Sequence, residues 1–134
     1  MATIHTRYDG GLRTTAQHLQ SGMKIITDAP LDNQGRGEAF SPTDLLAASL
    51  GSCMLTLMGI AARNHHFSID GTEISITKMM AANPRRVAEI KIEFTMPQNN
   101  FTDEQKQLME RAAHTCPVAL SLHPDLKQTI IFKY

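Results

Sequence analysis

The fold is decided by residues 41–64, which read SPTDLLAASLGSCMLTLMGIAARN. Ser41 is a strong helix N-cap, and Pro42 suits the first helical position because its missing N–H would be unpaired there anyway. Asp44 lies three residues after Ser41, in the spacing of a capping box. Arg63 carries a positive charge that suits the end of the helix dipole. The segment predicts a long helix that begins at Pro42 and ends near Arg63.

The middle of this helix carries no charge over the 18 residues from Leu45 to Ala62. Its length reaches the threshold of a membrane span, but serine, threonine and glycine interrupt it and no other segment resembles it. A helix that is apolar on nearly all sides is typical of a central buried helix. Because 134 residues supply little material to cover such a helix, we expect a homodimer and no membrane span.

Composition sets further limits on the class of protein. A chain of 134 residues is expected to form a single domain over 1–134. Thirteen basic residues balance thirteen acidic ones, which argues against nucleic acid and against an anionic membrane surface as partners. Met1–Arg7 is polar and lacks the apolar core of a signal peptide. With only two cysteines, the chain is expected in the reducing cytoplasm.

The remaining patterns alternate between short strands and one further helix. Asp9-Gly10-Gly11 is a strong hairpin signal near the N-terminus. Residues 87–96 alternate between apolar and polar side chains, as in a strand with one wet face. Strands grouped in hairpins around two helices indicate the α+β class. The predicted strands are Thr3–Tyr8, Arg13–His18, Lys24–Thr27, Glu73–Met80, Val87–Met96 and Gln128–Lys133, and the second helix is Thr102–Thr115, with a short helical turn through Leu122.

The two cysteines are the candidates for chemistry. Cys53 lies within the uncharged helix, and Cys116 lies in Cys116-Pro117-Val118 at the end of the second helix, on its apolar face with Leu108 and Ala112. Buried free cysteines are often only small hydrophobes. As a pair they could reduce peroxides, since a thiolate that attacks a peroxide oxygen becomes a sulfenic acid, and a second thiol condenses with that acid to a disulfide. The residues alone do not decide between structural thiols and a peroxide-reducing pair.

A metal or cofactor site is not expected. A zinc site needs four ligands at suitable spacing, and no such set appears. His114 lies at a different helical azimuth from Cys116 and is expected on the surface. The histidines are His5, His18, His65, His66, His114 and His123.

Residues 40–53, FSPTDLLAASLGSC, together with Cys116-Pro117-Val118 and the order of elements, resemble the OsmC/Ohr family of thiol peroxidases. The resemblance covers essentially the whole chain. It implies an OsmC-like fold of antiparallel sheets around two helices, in an intertwined homodimer with each site at the dimer interface. It also implies Cys53 as the peroxidatic thiolate, Cys116 as the resolving thiol, and Arg13, after Gly10-Gly11, as the activating cation.

One position departs from the family pattern. The family's enzymes usually carry a glutamate directly after the helix-starting proline, where it orients the arginine, and here that position is Thr43. Asp44 is nine residues before Cys53, which places it about 180° around the helix. Glu38, in the preceding loop, is a possible substitute.

The expected function is therefore reduction of organic hydroperoxides through a Cys53 sulfenic acid and a Cys53–Cys116 disulfide, reopened by a dithiol reductant. The alternative is a non-catalytic module of the same fold that binds an apolar small molecule and has structural thiols. A redox sensor that passes oxidation to a partner ranks third.

Overall fold

A computed structural model describes all of residues 1–134, and it confirms the α+β class. Every predicted helix and strand is present, with ends within two residues of the expected ones, and the short turn near residue 120 is a third helix. A 3₁₀ turn, Leu31–Asn33, lies in the loop before the first helix. The elements are β1 (Ile4–Gly10), β2 (Arg13–His18), β3 (Lys24–Asp28), α1 (Pro42–Asn64), β4 (Glu73–Ala81), β5 (Arg86–Thr95), α2 (Asp103–His114), α3 (Pro117–Ser121) and β6 (Lys127–Lys133).

The chain forms two compact units, residues 1–46 and 47–134, and the boundary falls inside α1. The first unit contains an antiparallel sheet in the order β1-β2-β3. Its first hairpin turns through Gly11 and Leu12, with φ of 62° and 60°, as a tight turn that matches the twist of its strands requires. The hairpin expected at Asp9-Gly10-Gly11 is thus present. The single domain over 1–134 stays a prediction.

The sheet of the first unit keeps apolar surface exposed in the single chain. Ile25 and Ile26 are neighbours on β3 and are 50% and 43% exposed. Successive side chains on a strand point to opposite faces, so both faces of β3 present apolar surface. Ile4, Tyr8 and Met23 are exposed as well. Several large apolar side chains exposed on one small sheet favour an interaction site there.

The second unit contains a sheet in the order β4-β5-β6. The β4–β5 pair is antiparallel, but β6 runs parallel to β5, from Glu89 opposite Lys127 to Thr95 opposite Lys133. This pairing differs from the expectation of antiparallel sheets. Its cause is the long connection through α2 and α3, because a crossover returns the chain to the end of the sheet where β5 began.

The core of the second unit lies between α1, α2 and this sheet's apolar residues. Alternate residues of β5, namely Ile90, Ile92 and Phe94, are fully buried, as the period-two pattern predicts. Helix α1 contacts β4 closely at Gly51, where an added Cβ would lie 2.7 Å from Cδ1 of Ile74. Glycine at this position therefore permits the short distance between helix and sheet.

By length and composition α1 could cross a membrane, with a mean hydropathy of 1.9 over its most apolar window. The core helix of a soluble protein passes the same test. The burial of α1 in the single chain is one-sided, whereas the sequence predicted burial on nearly all sides. Its buried residues lie three or four positions apart, except that Leu50 and Gly51 are adjacent, and they are Ala47, Leu50, Gly51, Met54, Met58 and Ala62.

Candidate functional site

Cys53 lies in the middle of α1, in the second unit. The helix begins with the expected capping box, in which the N–H of Asp44 donates to Ser41 Oγ at 3.0 Å and the N–H of Ser41 donates to Asp44 Oδ2 at 2.9 Å. Cys53 is half-buried and packs against the apolar core. The thiol therefore combines an apolar surrounding with partial access to solvent.

Cys116 lies at the junction of α2 and α3 and is fully buried. Its Sγ accepts a hydrogen bond from the N–H of Ala119 at 3.4 Å and so caps α3. The buried positions of α2 are Met109 and Ala113. Leu108 and Ala112 are only half-buried, so the centre of the apolar face lies one residue further along than the sequence suggested.

The fold places both thiols at one apolar core. Both are free, and Cys116 belongs to the buried core of the second unit, against which Cys53 packs, although 63 residues separate the two in sequence. Burial raises the pKa of Cys116, and hydrogen bonding with Cys53 and the charge of the Cys53 thiolate raise it further. The Ala119 N–H acts in the opposite direction. Cys116 is thus the buried and protonated thiol of the two.

Arg13 lies in the first unit, at the start of β2, and it is paired with a carboxylate that the sequence did not point to. Its Nε donates to Asp28 Oδ1 at 2.6 Å, and its Nη2 donates to Asp28 Oδ2 at 2.7 Å. The Asp28 side chain is 0% exposed and that of Arg13 is 25% exposed. Arg13 and Asp28 are direct partners across the β2–β3 ladder.

The electrostatics of this pair keep both groups charged. Hydrogen bonding and charge from Arg13 hold the pKa of Asp28 below its usual range, and the N–H of Glu38, which donates to Asp28 Oδ2 at 3.1 Å, adds to this effect. The same hydrogen bonds raise the pKa of Arg13. The Glu38 carboxylate lies 3.7 Å from Arg13 Nη2 but is 66% exposed. Glu38, expected as a possible substitute for the family glutamate, is therefore the outer of two acids beside Arg13.

Sequence reasoning missed Asp28, because the predicted strand bounds do not set the register of the β2–β3 hairpin. In the structure Gln17 pairs with Lys24, and the same antiparallel ladder places Arg13 opposite Asp28. The sequence prediction ended β3 at Thr27, one residue short of Asp28.

The position of the family glutamate lies in the first turn of α1. Thr43 occupies it, with its Oγ1 3.2 Å from Ser41 Oγ, and supplies no carboxylate. Asp44 caps the helix through its bond with Ser41, as expected. The structure contains no group of three or more His, Cys, Asp or Glu side chains arranged to hold a metal ion.

Comparison with known proteins places these features in a family. A family model described as OsmC-like protein matches residues 35–130. No protein with a curated description matches the chain. A crystal structure from Psychrobacter arcticus, provisionally described as an osmotic stress induced and detoxification response protein, is 55% identical. The match covers 99% of this chain and 96% of that one, with a TM-score of 0.95.

More distant structures share the fold. The organic hydroperoxide resistance protein OsmC of Legionella pneumophila is 16% identical, with a TM-score of 0.78 over 100% of this chain and 98% of that one. An organic hydroperoxide resistance protein from Elizabethkingia anophelis, with thiocyanate bound, is 15% identical, with a TM-score of 0.75 over 99% and 96%. The family assignment rests on the family model and on the 55% identical structure, and not on these distant structures. The chain therefore belongs to the family of OsmC-like proteins.

Proposed function

We propose that this protein is a thiol-dependent peroxidase that reduces organic hydroperoxides to alcohols. The observation that carries the proposal is the location of Cys53 and Cys116 at one apolar core, where Cys53 is half-buried and Cys116 is fully buried. Membership of the OsmC-like family supports it, because proteins of this fold include named organic hydroperoxide resistance proteins.

The different surroundings of the two thiols suggest different roles. Cys53 is the more accessible and is assigned as the thiol that attacks the peroxide. Cys116 is buried, and its raised pKa keeps it protonated and unreactive in the resting enzyme. Cys116 therefore reacts only after Cys53 has become a sulfenic acid, because only then is there an electrophilic sulfur for it to attack.

The proposed cycle balances as follows. The Cys53 thiolate attacks the terminal peroxide oxygen, the O–O bond breaks, and the alkoxide leaves and takes a proton to become the alcohol. Sulfur is oxidised by two electrons and carries the hydroxyl as a sulfenic acid. Cys116 then forms the S–S bond as the S–O bond breaks and water leaves. A dithiol reductant of the cytoplasm, where we place the protein, reopens the disulfide by exchange.

Arg13 is proposed as the cation that favours the Cys53 thiolate and holds a peroxide oxygen. A guanidinium stays charged at every physiological pH and presents several donors in a fixed plane. The Asp28 carboxylate occupies Nε and Nη2, so Nη1 lies outside the pair and can donate to another group. This role rests on the family resemblance of Gly10-Gly11-Leu12-Arg13.

Organic hydroperoxides are the proposed substrates because Cys53 packs against the apolar core of the second unit. An apolar surrounding binds a carbon chain and gives little to hydrogen peroxide. The same surrounding also suits the alternative function, a non-catalytic module that binds an apolar small molecule.

The proposed enzyme is a homodimer. Its support is the apolar surface left exposed on both faces of β3 and the one-sided burial of α1 in the single chain. Native mass spectrometry is expected to show a species of twice the chain mass at micromolar concentration. A monomer across that range would contradict the proposed dimer.

The peroxidase proposal is tested by intact mass under denaturing, non-reducing conditions after one equivalent of peroxide is added to reduced protein. Cumene hydroperoxide is expected to remove the mass of two hydrogens faster than hydrogen peroxide does, and the loss is expected to need both Cys53 and Cys116. Cys53→Ser and Cys116→Ser are the matched controls. An unchanged mass with both peroxides would overturn the proposal and favour the binding module.

A further inference from the structure

We propose that Asp28 is the positioning residue that orients the Arg13 guanidinium for the peroxidase reaction, in place of a carboxylate at position 43. The inference rests on the proposed function, because the orientation matters only if Arg13 serves the reacting thiolate. Its basis is the fork of two hydrogen bonds between these side chains, 2.6 and 2.7 Å long.

The fork sets the direction of the guanidinium. Two parallel bonds from Nε and Nη2 to the two oxygens of one carboxylate hold both groups in a common plane, which a single bond cannot do. The plane of Arg13 and the direction of its remaining nitrogen, Nη1, then follow from the position of Asp28. A lysine would keep the charge and lose this direction.

Asp28 is itself held firmly. Its carboxylate accepts the N–H of Glu38 at 3.1 Å, and its own N–H donates to the carbonyl of Phe40 at 3.1 Å. The side chain is 0% exposed, whereas Arg13 keeps 25% of its side chain exposed. Asp28 is thus the fixed and buried side chain of the pair, and Arg13 is the accessible one, as is required when one side chain positions another.

Stability alone is a weak account of this pair. Burying a carboxylate costs desolvation energy, and apolar residues of similar volume often serve a fold as well as a buried ion pair does. The strand partners Thr14 and Thr27, one step along the same ladder, bond through neutral hydroxyls and serve the sheet without a charge. The two hydrogen bonds between Arg13 and Asp28 also fix the direction of the guanidinium, and the stability of the sheet does not require this.

Three other charged groups act on the pair. Glu38 lies 3.7 Å from Nη2, and the charges of Asp9 and Arg36 act on Arg13 and on Asp28, respectively. None of the three forms a fork with either member of the pair. Their charges change the electrostatic potential around the pair, but the two hydrogen bonds that Asp28 accepts set the orientation of Arg13.

The test compares Asp28→Asn, Arg13→Gln and the double variant in steady-state reduction of cumene hydroperoxide across pH. Asp28→Asn is expected to lower kcat/KM by about 10- to 100-fold, the cost of misplacing a group by about 1 Å. The rising limb of its pH profile is expected to move to higher pH, because a thiolate without its cation forms at a higher pH. In the Arg13→Gln background, Asp28→Asn is expected to have no further effect.

Glu93→Gln is the matched control. Glu93 forms a carboxylate–lysine pair with Lys91, at 3.1 Å, in the sheet of the second unit, and its substitution is expected to leave turnover within twofold of the wild type. If Asp28→Asn fails to fold, Arg13→Lys carries the test, since it keeps the cation and loses the fork. Arg13→Lys is then expected to show the same loss and the same shift of the pH profile.

The outcomes separate the two proposals. If Arg13→Gln and Cys53→Ser lose turnover while Asp28→Asn keeps it, or if the losses from Asp28→Asn and Arg13→Gln add, the positioning role is overturned and the peroxidase stands. If wild-type protein turns over no faster than Cys53→Ser, the proposed function fails. In that case the positioning role is decided by the pH dependence of the rate at which iodoacetamide labels Cys53. If Asp28→Asn moves this pH dependence as far as Arg13→Gln does, the positioning role is supported. If Asp28→Asn does not move it, the positioning role is overturned.

Discussion

Replacement of Cys53 by serine is expected to lower the rate of organic hydroperoxide reduction by at least about 10³-fold, the scale on which loss of a nucleophile acts in enzymes. A serine hydroxyl is almost wholly protonated at neutral pH and forms no sulfenic acid, so both the attack and the resolving step are lost. The measurement is the consumption of a dithiol reductant with cumene hydroperoxide at fixed protein concentration.

Cys116→Ser is the matched variant, because it removes the other thiol of the same apolar core and leaves the attacking one. It is expected to complete one reduction of peroxide and then to accumulate a Cys53 sulfenic acid, which a dimedone-type reagent traps. Excess peroxide is expected to carry that sulfur on to the sulfinic acid, because no second thiol intercepts it. Equal turnover in the wild type and Cys53→Ser would contradict the assignment of Cys53.

The largest effect on stability is expected from Phe94→Ala. Phe94 is fully buried on β5, and its ring stacks on that of Phe132 with centroids 4.7 Å apart. Deleting a buried aromatic ring removes its transfer free energy and leaves a cavity, and we expect a loss of about 3–5 kcal/mol in the free energy of unfolding. That loss is a large part of the total stability of a typical domain, about 5–15 kcal/mol.

Thr95→Ala is the control for this substitution, since Thr95 is the next residue on β5 and points to the exposed face. It is expected to change the free energy of unfolding by less than about 1 kcal/mol. Urea denaturation is best followed by far-ultraviolet circular dichroism, because the chain has no tryptophan. Protein concentration is held constant, as a dimer would couple stability to it. Similar losses in both variants would contradict the burial of Phe94 as the cause.

Much of the local structure was determined by the sequence itself. Ser41 and Asp44 form the capping box of α1, and Thr102 and Gln105 form that of α2, as their spacing predicts. The alternation in β5 correctly marked its buried face. These features depend on residues at most a few positions apart, so the chain specifies them before any distant contact forms.

The candidate site depended on the tertiary structure. The structure joins residues that are far apart in sequence in the parallel pairing of β6 with β5, in the pairing of Arg13 with Asp28, and in the apolar core that Cys53 and Cys116 share. Caps and periodicity carry no information about which distant groups meet, because closing each loop costs entropy that only the packed whole offsets. The sequence by itself determined the helices, the strands and the two thiols; the tertiary structure decided that Asp28, and not a residue of α1, is the carboxylate that holds Arg13.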